Sequence, residues 1–74
     1  MSGEYRGNVE QWHDDKWGFI KADDPQVGRI FVHRSALKNC RTLEVGDRVS
    51  FGIVSDLVNP GKVKAADVVL LPPI

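Results

Sequence analysis

Four turn signals break this chain at short, regular intervals, and they limit its fold more than any other feature: His13-Asp14-Asp15, Asp23-Asp24-Pro25, Val45-Gly46-Asp47 and Asn59-Pro60-Gly61. Between them lie strand-like runs at roughly 5–12, 17–22, 29–33, 47–55 and 62–71. Val49, Phe51 and Ile53 alternate with Ser50 and Gly52, a clean period of two. No stretch holds a helical apolar period for long; Ser35-Ala36-Leu37 has room for one turn, with Ser35 as its cap. Short strands in this number imply an all-β chain, a small five-stranded antiparallel β-barrel whose closure hides the sheet edges. The 74 residues make one domain, with its core over about 5–71. A chain of this size buries only about 60% of its unfolded surface, which leaves one modest core and no deep cleft. The tail Leu71-Pro72-Pro73-Ile74 cannot continue a paired strand and reads as an exit toward solvent or a further domain.

Alternation then sorts the side chains of the second and third runs. Successive strand residues point to opposite faces. One face collects Gly18, Ile20, Ile30 and Val32, the natural core; the other collects Trp17, Phe19, Lys21, Arg29, Phe31 and His33. That second face is wholly aromatic or cationic, with no acid among its positions. Large rings on a solvent face call for a partner, and rings interleaved with cations suit single-stranded nucleic acid: π-faces for bases, positive charge for phosphates. The inverted barrel, with the rings inside, would expose Ile20, Ile30 and Val32 and bury Lys21 and Arg29, a worse arrangement. A protein partner on the same rings is the other reading, since exposed aromatics and arginine also mark interfaces.

Bulk charge pulls against nucleic acid. Ten basic and ten acidic residues sum to zero, where nucleic-acid domains are commonly basic; the acids, however, fall mostly at turns and strand ends. The single cysteine, Cys40, excludes an internal disulfide and a multi-cysteine metal site and fits a reducing compartment. The longest apolar runs, such as Val68–Leu71, are too short to span a membrane. Met1-Ser2-Gly3-Glu4 lacks the basic and apolar regions of a secretory signal. A cytoplasmic setting, with nucleus or organelle as alternatives, is the expectation.

Catalytic readings are poor. His13 beside Asp14 and Asp15 has no second histidine placed to complete a metal site and reads as a solvated turn. Ser35 near His33 lacks an orienting acid, and capping suffices for it. No enzyme activity, cofactor or metal is expected. Gly18 permits close approach of a base or a neighbouring backbone. Lys62 and Lys64 either extend a phosphate track or form a solvated strand face.

Five segments in order carry a family resemblance. Lys16-Trp17-Gly18-Phe19-Ile20 and Ile30-Phe31-Val32-His33-Arg34 are followed by Ser35-Ala36-Leu37, Thr42-Leu43-Glu44-x-Gly46-Asp47-x-Val49-x-Phe51 and Lys64-Ala65-Ala66-Asp67-Val68. They resemble the cold-shock domain, a five-stranded OB-type barrel whose two RNA-binding motifs have the forms Lys-Gly-aromatic-Gly-Phe-Ile and Val-Phe-Val-His-Phe. The resemblance runs from about Gly7 to Leu71. It implies base stacking on Trp17, Phe19, Phe31 and His33, and phosphate contact from Lys16. The chain departs from the pattern in four ways. No glycine separates Lys16 from Trp17; Arg34 replaces a stacking phenylalanine; Gln11 falls at the outward tryptophan of strand 1, with Trp12 beside it; and Lys38-Asn39-Cys40-Arg41 lacks a distal aromatic. Arg34 can still lie flat on a base. Trp12 is either a member of the ring face or partly buried, and a bulge would decide which.

The resulting expectation is a monomeric, non-enzymatic barrel that binds single-stranded RNA, and DNA second, with low sequence specificity, in the manner of an RNA chaperone. Trp17, Phe19, Phe31 and His33 would stack bases, with Arg34 and Trp12 contributing; Lys16, Lys21 and Arg29 would neutralise phosphates. One or two missing stacking sites, at about 1–3 kcal/mol each, set micromolar affinity as the expectation. The alternatives are a protein-interaction barrel and a ribosome-associated OB domain of the S1 or initiation-factor kind, which shares the Gly46-Asp47-x-Val49 signal but leaves the two ring-bearing motifs unexplained.

Overall fold

The computed structural model describes residues 5–59 and 61–72; Met1–Glu4, Pro60, Pro73 and Ile74, and the readings placed on them above, lie outside the described residues. Five strands follow in order: β1 (Tyr5–His13), β2 (Trp17–Ala22), β3 (Arg29–His33), β4 (Arg48–Ser55) and β5 (Val63–Leu70). They close into a barrel in the order β1-β2-β3-β5-β4, with β4 returning to β1. Each boundary falls within one residue of the run read from alternation and turn residues.

The expected five-stranded barrel is present, antiparallel at every seam but one. β3 and β5 run parallel, with Phe31 opposite Lys64 as their register pair. The reason is parity: strands that alternate direction around a closed ring of odd number must meet once in parallel. Beyond that pair the chain after β3 carries the contact onward. Leu37 bridges Val68, the Lys38 N–H donates to the Val68 carbonyl at 2.9 Å, and the Asn39 amide exchanges two hydrogen bonds with the backbone of Leu70.

The core is the aliphatic face that alternation selected. Val9, Ile20, Ile30, Val32, Leu43, Val49, Phe51 and Val68 are all buried, with Ala22 and Ala65. Burying an aliphatic or phenyl side chain of this kind contributes about 1.5–3 kcal/mol. Trp17, Phe19 and Phe31 are half-buried on the outside, so the inverted barrel is excluded.

Two irregularities of β1 and β2 shape that outer face. Val9 pairs with Ile20 and Gln11 with Phe19, so Glu10 is an extra residue that nothing on β2 opposes. This bulge reverses the facing of everything after it: Gln11 and His13 turn outward, and Trp12 turns in above Gly18. Gly18 is required there. A Cβ at this position would run into the Gln11 carbonyl and come within 2.8 Å of the Trp12 ring. The close approach that Gly18 allows is thus by backbone and indole, not by a base. The turn from β1 to β2 closes with the Lys16 N–H donating to the His13 carbonyl at 2.9 Å, and Asp14 and Asp15 take φ of 54° and 55°.

The helical turn also differs from expectation. A 3₁₀ turn spans Arg34–Ala36, one residue earlier than read, so its cap is His33 and not Ser35. The Nδ1 of His33 accepts from the Ser35 N–H at 3.1 Å and lies 3.0 Å from the Ser35 hydroxyl.

Candidate nucleic-acid interface

Strand register lays the outer face out in rows. In the first, Trp17 of β2 stands between His13 of β1 and His33 of β3. In the second, Gln11, Phe19, Phe31 and Lys64 follow one another across β1, β2, β3 and β5. In the third, Lys21 pairs with Arg29. Two motifs that are distant in sequence thereby become one surface, because β2 and β3 are adjacent and in register.

The rings pack as a set. Trp17 and Phe31 lie nearly parallel, 6.2 Å between centroids and 28° between planes. Phe19 stands edge-on to both, at 5.9 Å and 86° to Trp17 and at 6.0 Å and 74° to Phe31. These are the offset and edge-to-face arrangements that aromatic quadrupoles prefer. Mutual contact holds the rings in place, so little side-chain freedom remains to be lost on binding.

Histidine extends the patch at both ends. The His13 ring sits 4.5 Å from Trp17, tilted by 34°, and its Nε2 meets the Gln11 side-chain oxygen at 3.1 Å. The sequence reading of His13 as a solvated turn missed this placement. The signal lay in the bulge: one extra residue in β1 is needed to bring His13 out beside Trp17. On the far side, the amide held by Nδ1 of His33 leaves the proton of the neutral ring on Nε2, away from the turn.

The remaining candidates distribute as follows. Lys16, Lys21 and Arg34 are exposed, and among the described residues none forms an ion pair. Arg34 is tied only through its backbone, its N–H donating to the Lys16 carbonyl at 2.7 Å, which brings the two motifs' cations to one end of the face. Arg29 is not free: its Nε donates to Glu10 at 2.7 Å, and its guanidinium carbon lies 5.8 Å from the Phe19 centroid. The face read as acid-free thus has a carboxylate at its border, supplied by β1. Trp12 does not join the ring face. The bulge turns it toward the core, where it is half-buried and donates from Nε1 to the Thr42 hydroxyl at 2.8 Å.

Ser35 and His33 touch, but among the described residues no carboxylate bonds to the imidazole and the contact serves the cap. No group of three or more His, Cys, Asp or Glu side chains among the described residues is placed to hold a metal ion. Among the described residues no helix is long and apolar enough to cross a membrane. The Cys40 thiol, partly buried and near Asp47, is pushed above its ordinary range, chiefly by loss of solvation.

Beside Phe19 and Phe31 the face opens into a groove of about 510 Å³, walled on the far side by Asp56, Asn59 and Lys62 of the segment joining β4 to β5 and by Val63 at the start of β5. The rings are therefore bounded by cations at the β1–β2 turn and by a polar wall at the β4–β5 turn.

A family model described as the 'cold-shock' DNA-binding domain matches residues 5–71. That span holds all five strands, both ring-bearing motifs and the cations around them. The chain belongs to this cold-shock domain family, whose domains bind single-stranded nucleic acids.

Proposed function

We propose that this barrel binds single-stranded RNA, and DNA second, by stacking bases on Trp17, Phe31 and the two histidines that flank Trp17. Binding has low sequence specificity and keeps RNA from pairing with itself. The observation that carries the reading is the contiguous half-exposed ring patch, preset by its own contacts and bordered by Lys16, Lys21, Arg34 and Lys64, cations without an ion pair among the described residues. Every base has a π-face, so stacking discriminates bases weakly, whereas phosphate neutralisation makes binding fall with salt. Zero net charge limits long-range attraction; together with Arg34 and Gln11 at positions that the family fills with rings, it supports micromolar affinity. Stacking and screening need no bond-making step, and no catalytic role is proposed. The proposed setting is cytoplasmic, where the single thiol stays reduced.

Tryptophan fluorescence tests this. A Trp12→Phe variant leaves Trp17 as the sole reporter. Titration with a uridine-rich single strand should quench it saturably, less at raised salt, and a duplex of the same length should not. Flat fluorescence up to tens of micromolar RNA would remove the reading. A protein-docking role draws on a separate observation, the exposed Leu57 and Val58 at 90% and 84% beside the groove. Such contact would be insensitive to salt and to Trp17→Ala.

A further inference from the structure

Arg29 and Glu10 form the closest ion pair on the ring face, and they meet across β2. Glu10 belongs to β1 and Arg29 to β3, with Phe19 on the strand between them. The bulge frees Glu10 from register with β2, and its carboxylate reaches the Arg29 Nε at 2.7 Å. The arginine side chain must therefore lie over Phe19, and its guanidinium carbon is 5.8 Å from that ring's centroid, within the range of a cation–π contact. The Glu10 side chain is 34% exposed and that of Arg29 56%, so the pair is partly shielded but open to exchange.

The consequence for binding is direct. A phosphate that approaches Arg29 must displace a carboxylate already seated on it, and a base that approaches this face of Phe19 must displace the guanidinium. Neither condition applies to Trp17 or Phe31, which pack against other rings and beside which Lys16, Lys21 and Arg34 have no ion pair among the described residues. One ring of the patch is thus held differently from the others.

We propose that Glu10 is an internal competitor for phosphate: it occupies Arg29, keeps Phe19 covered, and sets the affinity of this face for single strands below what its rings and cations would otherwise give. The inference rests on the nucleic-acid reading of the face. Glu10 acts here as a positioning residue, through Arg29 and without touching the ligand.

A near-isosteric change that removes the one carboxylate, made with and without Arg29, separates this from a general effect of charge. In E10Q the carboxylate is gone and Arg29 is released. Affinity for a uridine-rich single strand at low salt should rise about three- to fivefold, the upper part of the scale of a partly exposed ion pair. The slope of log affinity against log salt should steepen by about 0.7, the increment for one further neutralised phosphate on a single strand. In an R29Q background the same Glu10 change should leave the slope unaltered and affinity within about twofold, since only the distant effect of one charge remains.

Equal gains in both backgrounds would overturn the inference, as would binding by the native protein with E10Q no tighter. Neither result touches the nucleic-acid reading itself. Silence from native protein and E10Q alike would remove that reading, and this one with it. Thermal unfolding of E10Q within a few degrees of the native chain establishes that the barrel is intact.

Discussion

The imidazole of His13 and the indole of Trp17 face each other across the turn from β1 to β2, 4.5 Å between centroids. The contact exists because Glu10 is an extra residue in β1, which turns His13 outward, and because the turn brings His13 into register with Trp17. A residue that reads locally as part of a polar turn is thereby a wall of the ring patch.

Truncating the rings should rank them. Trp17→Ala and Phe31→Ala should each weaken binding to a uridine-rich strand by about 1–3 kcal/mol, and His13→Ala by about 1 kcal/mol. Trp17 and Phe31 touch, so the double variant should lose less than the sum of the two. Isothermal titration of the four variants beside the native protein checks this; a His13→Ala protein that binds as the native one does would place His13 outside the interface.

Gly18→Ala should be severely destabilising. The added methyl meets the Gln11 carbonyl and the Trp12 ring, both on the neighbouring strand, and only separation of β1 from β2 relieves it. The expected loss is about 3 kcal/mol or more, beyond ordinary overpacking because backbone must move. Urea denaturation would measure it, and Trp12→Ala in the same chain should recover only part, since the carbonyl clash remains.

Asp14→Gly should stabilise. Asp14 holds φ of 54° without a hydrogen bond from its side chain among the described residues, whereas Asp15, at 55°, accepts from the Thr42 hydroxyl at 3.3 Å. Relief of the left-handed conformation outweighs the extra freedom glycine gives the unfolded chain by about 0.5 kcal/mol. A rise of a few degrees in Tm follows for a domain of this size, while Asp14→Ala should show none.

The pair of Asp23 and Arg48 gives a pH dependence of defined sign. Arg48 donates to both carboxylate oxygens of Asp23, at 2.8 and 2.9 Å, and also to Asn8 at 2.8 Å. That hydrogen bonding holds the Asp23 carboxyl below its ordinary 3.8. A lowered folded-state value means stability that is complete above the unfolded value and lost as pH falls through the folded one. The native chain should therefore exceed Asp23→Asn in Tm at neutral pH, with the difference closing below about pH 4. Raised salt should narrow it as well, since both groups are exposed.

Much of this molecule was legible in its residues, for identifiable reasons. Alternation at Ile20, Ile30, Val32 and Val49 named the core, because a one-residue error would have buried Lys21 and Arg29 instead. Turn chemistry placed the strand ends within a residue. What escaped was set by single residues acting across strands. Nothing local distinguishes Glu10 as the bulge, yet it decides that Trp12 turns in, that His13 turns out, and that Arg29 has a partner. The cap passed from Ser35 to His33 because the 3₁₀ turn began one residue early, a shift too small for a pattern to register. The parallel pairing of β3 with β5 followed from the parity of five strands and not from any motif.

That pairing has a mechanical meaning. Phe31 and Lys64 are the one register pair that joins β3 to β5 among the described residues, whereas β4 and β5 share a long ladder. The barrel is therefore sewn most lightly along the line that borders its rings, and local opening should begin there. A single strand lying from Phe31 across to Lys64 would act as a stitch over that line. Slowed amide exchange in β5, a strand that carries none of the rings, would then report both that the ligand is bound and which way it runs.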